Sequence, residues 1–317
     1  MNPGPWRIVF FGTPAFAVLV LEGLLDGTDP VRAVVTQPDR RKGRGQRVGV
    51  SAVKERFLHD PYPGCCLLQP EKVKETSFQE TLRGLGPDLF VVAAFGQILP
   101  AAVLEIPRYG SINVHASLLP KYRGAAPIPW AILRGEEVTG VTIMKMDAGM
   151  DTGDILLQRD IPIRPDETAE TLHDRLALLG PALLLETLHL MKKQAIAPLP
   201  QDAARATYAP PLKKEDGRID WSREAIEIDR QVRAFHPWPV AFTHLRGQML
   251  KVYRGEAKTG GTGERGGKVA WVGNDWIEVE TGKGVYRIRE VQLEGKRRMT
   301  IREFLSGHPV PVGMVFE

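Results

Sequence analysis

Ile8-Val9-Phe10-Phe11, followed by Gly12-Thr13-Pro14, the helically spaced apolar residues of 15–25 and a second apolar run at 31–36, decides the fold of this 317-residue chain. Four consecutive apolar residues closed by a glycine turn read as a strand. Pro14 suits the first turn of the next helix, where a missing backbone N–H costs nothing. The same alternation continues, with strands predicted at 65–68, 89–94 and 112–115 and helices at 51–58 and 78–85. Such a chain builds an α/β domain around a doubly wound, Rossmann-like, mostly parallel sheet. Sheets of this kind bind ligands beyond the carboxyl ends of their strands. A dinucleotide fold would add two more glycines after its first strand. Only Gly12 stands there, so the segment serves the turn and a nicotinamide enzyme is disfavoured.

Working outward, 138–146 and 154–163 read as two further strands bracketing a glycine-rich turn around Asp151. Residues 168–193 read as helix, broken or kinked at Gly180-Pro181, and close a domain spanning 1–197. Residues 198–211 hold four prolines and few large apolar side chains, which marks a linker. Beyond it the pattern changes. One helix at 225–235 precedes five short strands at 240–245, 250–253, 268–272, 276–281 and 285–291, the pattern of a small OB-like β-barrel domain over 212–317. The glycine cluster at 260–267 reads as a turn rather than a phosphate cradle.

A hydrophobic content of 43% with 25% charged residues argues against extensive disorder. The net charge is +4, and residues 206–317 carry all of it, with 19 basic against 15 acidic side chains. Adjacent Cys65 and Cys66 suit neither an ordinary disulfide nor a metal cage, and read as buried strand residues of a reduced, cytoplasmic protein. Arg7 and the apolar stretch after it mimic a secretion signal, but Gly12-Thr13-Pro14 interrupts them. There is no apolar run of about 18 residues, so no membrane span is expected.

Chemistry concentrates in three residues. Alternate residues of a strand face one side, so Asn113 and His115 project together from the end of Gly110-Ser111-Ile112-Asn113-Val114-His115. The turn around Asp151 can bring a carboxylate to the same edge. An amide donor, an imidazole and a carboxylate suit proton transfer and oxyanion stabilisation at a carbonyl carbon, and no serine or cysteine nucleophile stands in the set. Singly, each residue equally fits a turn cap, a satisfied buried histidine or a loop position. As a zinc site the set is poor, so no metal is expected. Elsewhere Arg40-Arg41-Lys42-Gly43-Arg44-Gly45-Gln46-Arg47 places five cations in eight residues after the second strand. Such a loop is either a solvated surface or a phosphate-binding rim above the crevice.

The flanks carry a family resemblance. The run Ile112-Asn113-Val114-His115-Ala116-Ser117-Leu118-Leu119-Pro120-Lys121-Tyr122-Arg123-Gly124-Ala125-Ala126-Pro127 and the run Met146-Asp147-Ala148-Gly149-Met150-Asp151-Thr152-Gly153-Asp154 resemble signatures of the 10-formyltetrahydrofolate-dependent formyltransferases. Phe11-Gly12-Thr13-Pro14, Gln37-Pro38-Asp39, Ile219-Asp220-Trp221 and Phe235-His236-Pro237-Trp238-Pro239 extend the match over nearly the whole chain. The resemblance is strongest to the branch acting on methionyl-initiator tRNA. It implies formyl transfer from 10-formyltetrahydrofolate to the methionyl α-amine, with Asn113, His115 and Asp151 catalytic. It also implies that Ser117, Leu118, Leu119 and Pro120, with Phe95, Gly96, Ile98 and Leu99, contact the folate. Arg40, Arg41, Lys42, Arg44 and Arg47, joined by Lys213 and Lys214 of the C-terminal domain, would contact tRNA. Arg41-Lys42 replaces the Pro-Ala common in relatives, which alters the loop but keeps the charge. The expected protein is a cytoplasmic monomer with no membrane association. Two alternatives stay open, a formyltransferase acting on an amino-sugar nucleotide and a noncatalytic tRNA-binding protein.

Overall fold

The computed structural model describes residues 4–42, 47–260 and 265–317. The chain divides into two compact units, Met1–Pro127 with Val138–Pro162 and His173–Ala209, and Ile128–Glu137 with Ile163–Leu172 and Pro210–Glu317.

The first part of the chain runs β1 (Ile8–Gly12), α1 (Ala15–Leu25), β2 (Val31–Val35), β3 (Arg40–Lys42), β4 (Arg47–Gly49), α2 (Ala52–His59), β5 (Cys66–Leu68) and α3 (Thr76–Gly84). It continues through β6 (Leu89–Ala93), α4 (Ala101–Leu104), β7 (Ser111–His115), α5 (Pro127–Leu133), β8 (Val138–Lys145), β9 (Ile155–Pro162) and α6 (Ala169–Lys192). Seven strands form one sheet in the order β5-β2-β1-β6-β7-β8-β9. Neighbours are parallel from β5 to β7 and antiparallel from β7 to β9. The sheet is therefore mostly parallel, as the alternation predicts. The chain winds from β1 out to β5, then resumes on the other side of β1 at β6, which puts the switch point between β1 and β6.

β1, β6 and β7 are buried along their whole length, which suits a continuous apolar run such as Ile8-Val9-Phe10-Phe11. Phe11 meets Phe90 and Phe95 edge-on at ring-centroid distances of 5.0 and 5.3 Å, the geometry that the aromatic quadrupole favours. Burying each of these rings stabilises the domain by about 2–3 kcal/mol. Ser51 caps α2 by accepting from Lys54 N at 3.0 Å, and its hydroxyl meets that of Thr36 at 2.7 Å, fixing the helix start to the end of β2.

Three expectations need correction. Of the break or kink expected at Gly180-Pro181, the break does not occur, since α6 runs continuously through Pro181. A Cβ on Gly23 would lie 2.5 Å from the Cβ of Pro181, so α1 and α6 touch at a proline against a glycine, and the buried side chains Leu176, Leu183 and Leu184 hold the helix on both sides of it. Cys66 is exposed and Cys65 only half-buried, because β5 is the edge of the sheet. Both are free thiols, and partial burial, with the neighbouring Cys66, pushes the Cys65 thiol up to about 12. Part of the basic loop is also a two-stranded antiparallel ribbon, β3 with β4.

In the second unit α7 (Ala225–Ala234) precedes β10 (Ala241–Leu245), β11 (Gln248–Lys258), β12 (Val269–Val272), β13 (Ile277–Glu280), β14 (Val285–Leu293), β15 (Met299–Thr300) and α8 (Ile301–Gly307). The strands form an antiparallel sheet in the order β10-β11-β14-β13-β12, with β15 added beside β14. Trp221, Val232, Val252, Tyr286, Ile288 and Phe304 belong to its core. Trp221 is thus a core residue of this unit, its indole N–H donating to Thr243 Oγ1 at 3.0 Å. No described helix is long and apolar enough to cross a membrane.

Candidate active site

β7 delivers Asn113 and His115 to one side by the two-residue period of a strand, and both are buried, at 9% and 6% exposure. The turn between β8 and β9 carries Asp151 back to them. Its Oδ1 accepts from Asn113 Nδ2 at 3.3 Å, and its Oδ2 lies 3.7 Å from His115 Nδ1. Oδ2 also accepts from the backbone N–H of Gly124 at 2.8 Å. The amide, the imidazole and the carboxylate predicted from the sequence therefore converge.

The imidazole is oriented by its other nitrogen. His115 Nε2 lies 2.9 Å from the carbonyl oxygen of Tyr122. A carbonyl only accepts, so Nε2 carries the proton and Nδ1 is the nitrogen that can take up or release one toward Asp151. Tyr122 (φ 61°) and Asp151 (φ 52°) both hold left-handed backbone conformations, as does Ala94 (φ 46°) just beyond β6. Non-glycine residues seldom adopt this region, and here three of them gather on the loops that follow β6, β7 and β8.

The Ser117-Leu118-Leu119-Pro120 turn leaves β7 directly and is held by its own polar atoms. Ser117 Oγ donates to Lys121 O at 2.7 Å, while Thr142 Oγ1 donates to Ser117 O at 2.6 Å and accepts from Leu119 N at 3.1 Å. Gln158 Nε2 donates to Leu119 O at 2.9 Å. Leu119 packs inward with Met144 and Ile155, whereas Leu118 and Pro120 are only half-buried. After β6 the pattern repeats. Phe95 and Leu99 turn into the core, Gly96 is exposed with φ 88°, and Ile98 is left 80% exposed. The side chains of Phe95, Leu99 and Leu119 thus support these loops, while Gly96, Ile98 and Leu118 present surface.

A polar network ties the switch-point loops to the base of the basic ribbon. Thr13 Oγ1 and Gln37 Nε2 both donate to Phe95 O, at 2.8 and 3.2 Å. Gln69 donates to Gln37 O and to Asp39, each at 2.9 Å, and Lys54 Nζ meets Asp39 at 2.6 Å. The Lys54 ammonium, and then the Gln69 amide, hold the Asp39 carboxyl below its ordinary range. Arg40 is exposed at the start of β3, and the backbones of Arg41, Lys42 and Arg47 pair across the ribbon. Arg44 lies outside the described residues. Lys213 and Lys214 are exposed in the second unit.

Several groups that hold the candidate site together carry no mark in the sequence. The Gly124 amide and the Tyr122 carbonyl are backbone atoms with no compositional signal. Gln201 reaches Asp151 from 50 residues away. Among the described residues no group of three or more His, Cys, Asp and Glu is placed to hold a metal ion.

Residues 6–188 match the formyl transferase family model, and residues 211–309 match that of the formyl transferase C-terminal domain. The chain is 50% identical to the methionyl-tRNA formyltransferase of Geobacter sulfurreducens, over 97% of this chain and 95% of that one. It is 51% identical to that of Citrifermentans bemidjiense over the same shares. Among solved structures, the sugar 3N-formyl transferase WlaRD, crystallised in the presence of dTDP and 5-N-formyl-THF, aligns with a TM-score of 0.65 at 20% identity, over 93% of this chain and 100% of that one. HypX from Aquifex aeolicus in complex with tetrahydrofolic acid aligns with a TM-score of 0.64 at 18% identity, over 98% of this chain and about half, 50%, of its own. Likeness at that identity concerns the fold.

Proposed function

The chain belongs to the formyltransferase family, and from that premise we propose that it transfers the formyl group of 10-formyltetrahydrofolate to the α-amine of methionine esterified to initiator tRNA. The product is N-formylmethionyl-tRNA, which serves translation initiation, and the protein acts as a cytoplasmic monomer. One observation carries the chemical reading: a single carboxylate meets the Asn113 amide at 3.3 Å and faces His115 Nδ1 at 3.7 Å, with His115 Nε2 already committed to a carbonyl.

Attack of the amine on the formyl carbon places negative charge on the formyl oxygen and a proton on the attacking nitrogen. Asn113 Nδ2–H and a protonated His115 Nδ1–H stabilise that charge as it forms. Asp151 keeps the imidazolium oriented and relays the amine proton, directly or through water, toward the departing folate nitrogen. Every atom moved belongs to the two substrates or is a proton, so no covalent enzyme intermediate is needed.

Folate would lie along the loops after β6 and β7. Exposed Ile98, half-buried Leu118 and Pro120, and the side-chain-free surface of Gly96 suit a flat, mostly apolar ring with few polar anchors. In the same reading Ser117, Leu119, Phe95 and Leu99 hold those loops in shape. Arg40, Arg41, Lys42, Arg44 and Arg47 would meet tRNA phosphates, joined by Lys213 and Lys214 from the C-terminal domain. Residues 1–197 would carry the chemistry, 198–211 the connection and 212–317 the additional tRNA contacts.

Identity near 50% with methionyl-tRNA formyltransferases over almost the full chain favours this acceptor over an amino-sugar nucleotide. The test supplies purified protein with 10-formyltetrahydrofolate and either methionyl-initiator tRNA or an amino-sugar nucleotide, and weighs the products by mass. The expected result is a formyl adduct on the methionyl ester alone. Formylation of the sugar without formylation of methionyl-tRNA refutes the proposed acceptor.

A further inference from the structure

Asp151 is gripped at two places, its carboxylate and its backbone carbonyl. Its carboxylate receives the Gly124 amide at 2.8 Å. Its own backbone carbonyl receives Gln201 Nε2 at 2.9 Å, and the same nitrogen donates to Gly153 O at 2.7 Å. The Gln201 oxygen accepts from Arg123 Nε and Nη2 at 3.0 and 2.8 Å. A primary amide has two N–H donors and one oxygen. Here both donors go to the Asp151 turn, and the oxygen lies in the fork of a guanidinium. Rotating the amide by 180° would set its oxygen against two carbonyls and its N–H groups against a cation, so one orientation alone satisfies the site.

Arg123 is only 5% exposed, and its backbone is pinned by Arg123 N→Thr207 O at 2.9 Å and Ala209 N→Arg123 O at 2.8 Å. Three consecutive residues therefore orient both titratable groups of the site. The Tyr122 carbonyl orients His115, the Gly124 amide orients the Asp151 carboxylate, and the Arg123 side chain, through Gln201, orients the Asp151 backbone. The turn gains from that support, since Asp151 holds φ 52° in a largely exposed glycine-rich segment whose other described hydrogen bonds, apart from Asn113 Nδ2 to Asp151 Oδ1, are local, Gly149 N and Thr152 Oγ1 to Asp147 at 3.0 and 2.6 Å.

We propose that Gln201, locked by Arg123, is a positioning residue for formyl transfer that acts through Asp151; this rests on the reading of Asp151 given above. A carboxylate that must approach a proton within hydrogen-bonding distance is sensitive to displacement, and a shift of about 1 Å can cost roughly 100-fold in rate. Gln201 touches no reacting atom. Its effect falls on turnover rather than on binding of either substrate.

The diagnostic substitution is Gln201→Glu. It keeps oxygen acceptors for Arg123, so the buried cation stays paired, but removes both donors from the Asp151 turn. Single-turnover formylation of methionyl-tRNA, with the KM of each substrate and thermal melting, is measured for wild type, Gln201→Glu, Asp151→Asn and the double variant. Expected for Gln201→Glu is a roughly 10- to 100-fold fall in kcat with KM values within threefold, in a protein that stays folded although the Asp151 and Gly153 carbonyls, left without donors, lower its melting temperature. In the Asp151→Asn background the same substitution costs less than about threefold, because the group it positions is already gone. A full, additive loss in that background, or unchanged turnover in Gln201→Glu alone, overturns the proposal. Arg123→Lys, which keeps the charge but loses the fork, is expected to fall between wild type and Gln201→Glu, and wild-type turnover in it also counts against the clamp. If wild type itself fails to formylate methionyl-tRNA, the functional reading fails instead, so the two failures are separate.

Discussion

Gly124→Ala is the substitution whose cost the structure specifies most closely. Gly124 has φ 117°, where an L-residue is strained, and an added Cβ would lie 2.8 Å from the carbonyl oxygen of Ala209 and 3.4 Å from its carbon. Those are backbone atoms, so no rotamer change relieves the clash. The segment cannot easily retreat, since Ala209 N bonds Arg123 O at 2.8 Å and Ala126 N bonds Ala209 O at 3.1 Å. Conformational strain of about 1–3 kcal/mol and overpacking of about 1–3 kcal/mol add to a loss of roughly 2–6 kcal/mol. For a domain of this size that lowers Tm by roughly 4–24 °C. The peptide can relieve part of this by swinging its N–H away from Asp151 Oδ2, and then the rate falls as well. Gly64→Ala is the control, because Gly64 has φ 75° and nothing within 4 Å of an added Cβ, so it bears only the conformational term. Thermal melting and single-turnover formylation of both variants decide the matter. A Gly124→Ala protein as stable as Gly64→Ala and as fast as wild type would refute the reasoning.

Other expectations concern the ribbon and the C-terminal unit. Arg40→Ala and Arg44→Ala should raise the KM for tRNA, and lower its salt dependence by about one phosphate contact each, without changing folate affinity; equal losses for both ligands would contradict a tRNA-specific role. Lys258 and then Arg289 hold the Glu256 carboxyl down at about 2, from an ordinary 4.5. A depressed acid stabilises the fold above its unfolded value and loses that contribution as pH falls through its folded value. The stability difference between wild type and Glu256→Gln should therefore shrink between pH 4.5 and 2, from no more than about 1–2 kcal/mol after solvent screening; a constant difference across that range argues against it. Tyr286 is fully buried with no hydrogen-bond partner for its hydroxyl among the described residues, and burial drives its phenol well above the ordinary range. Tyr286→Phe should raise stability by about 1 kcal/mol, and a lower Tm would show that the hydroxyl is satisfied.

What could be read from the sequence follows from the range of the interactions involved. β1, α1 and β7 were legible because apolar runs, a turn and two-residue alternation are local signals. Asn113 and His115 needed only that alternation to share a side. Asp151 was legible through its motif and the turn around it, while its contact with Asn113 is a tertiary fact. The ribbon at Arg40 reads as a loop in the sequence, since Arg40-Arg41-Lys42 offers no apolar alternation to mark a strand. Cys66 misled because an apolar strand at a sheet edge looks like one in the middle. The break expected in α6 does not occur because a proline in a long helix is tolerated where packing on both sides outweighs the missing hydrogen bond. α8 escaped notice although Thr300 and Glu303 form a capping box, because it spans only seven residues. Gln201 had no local mark at all. It sits in a proline-rich stretch whose composition says linker, and only the folded chain brings it to Asp151.

The central claim is that an amide, an imidazole and a carboxylate at the end of β7 carry formyl transfer. Its most direct test is the single-turnover rate of formyl transfer to methionyl-tRNA for Asn113→Ala, His115→Ala and Asp151→Asn, with folate binding measured separately on the same proteins. Each rate is expected to fall by roughly 100-fold or more while the folate Kd stays within threefold and the proteins remain folded. Any one of the three turning over within tenfold of wild type would contradict the role assigned to that group.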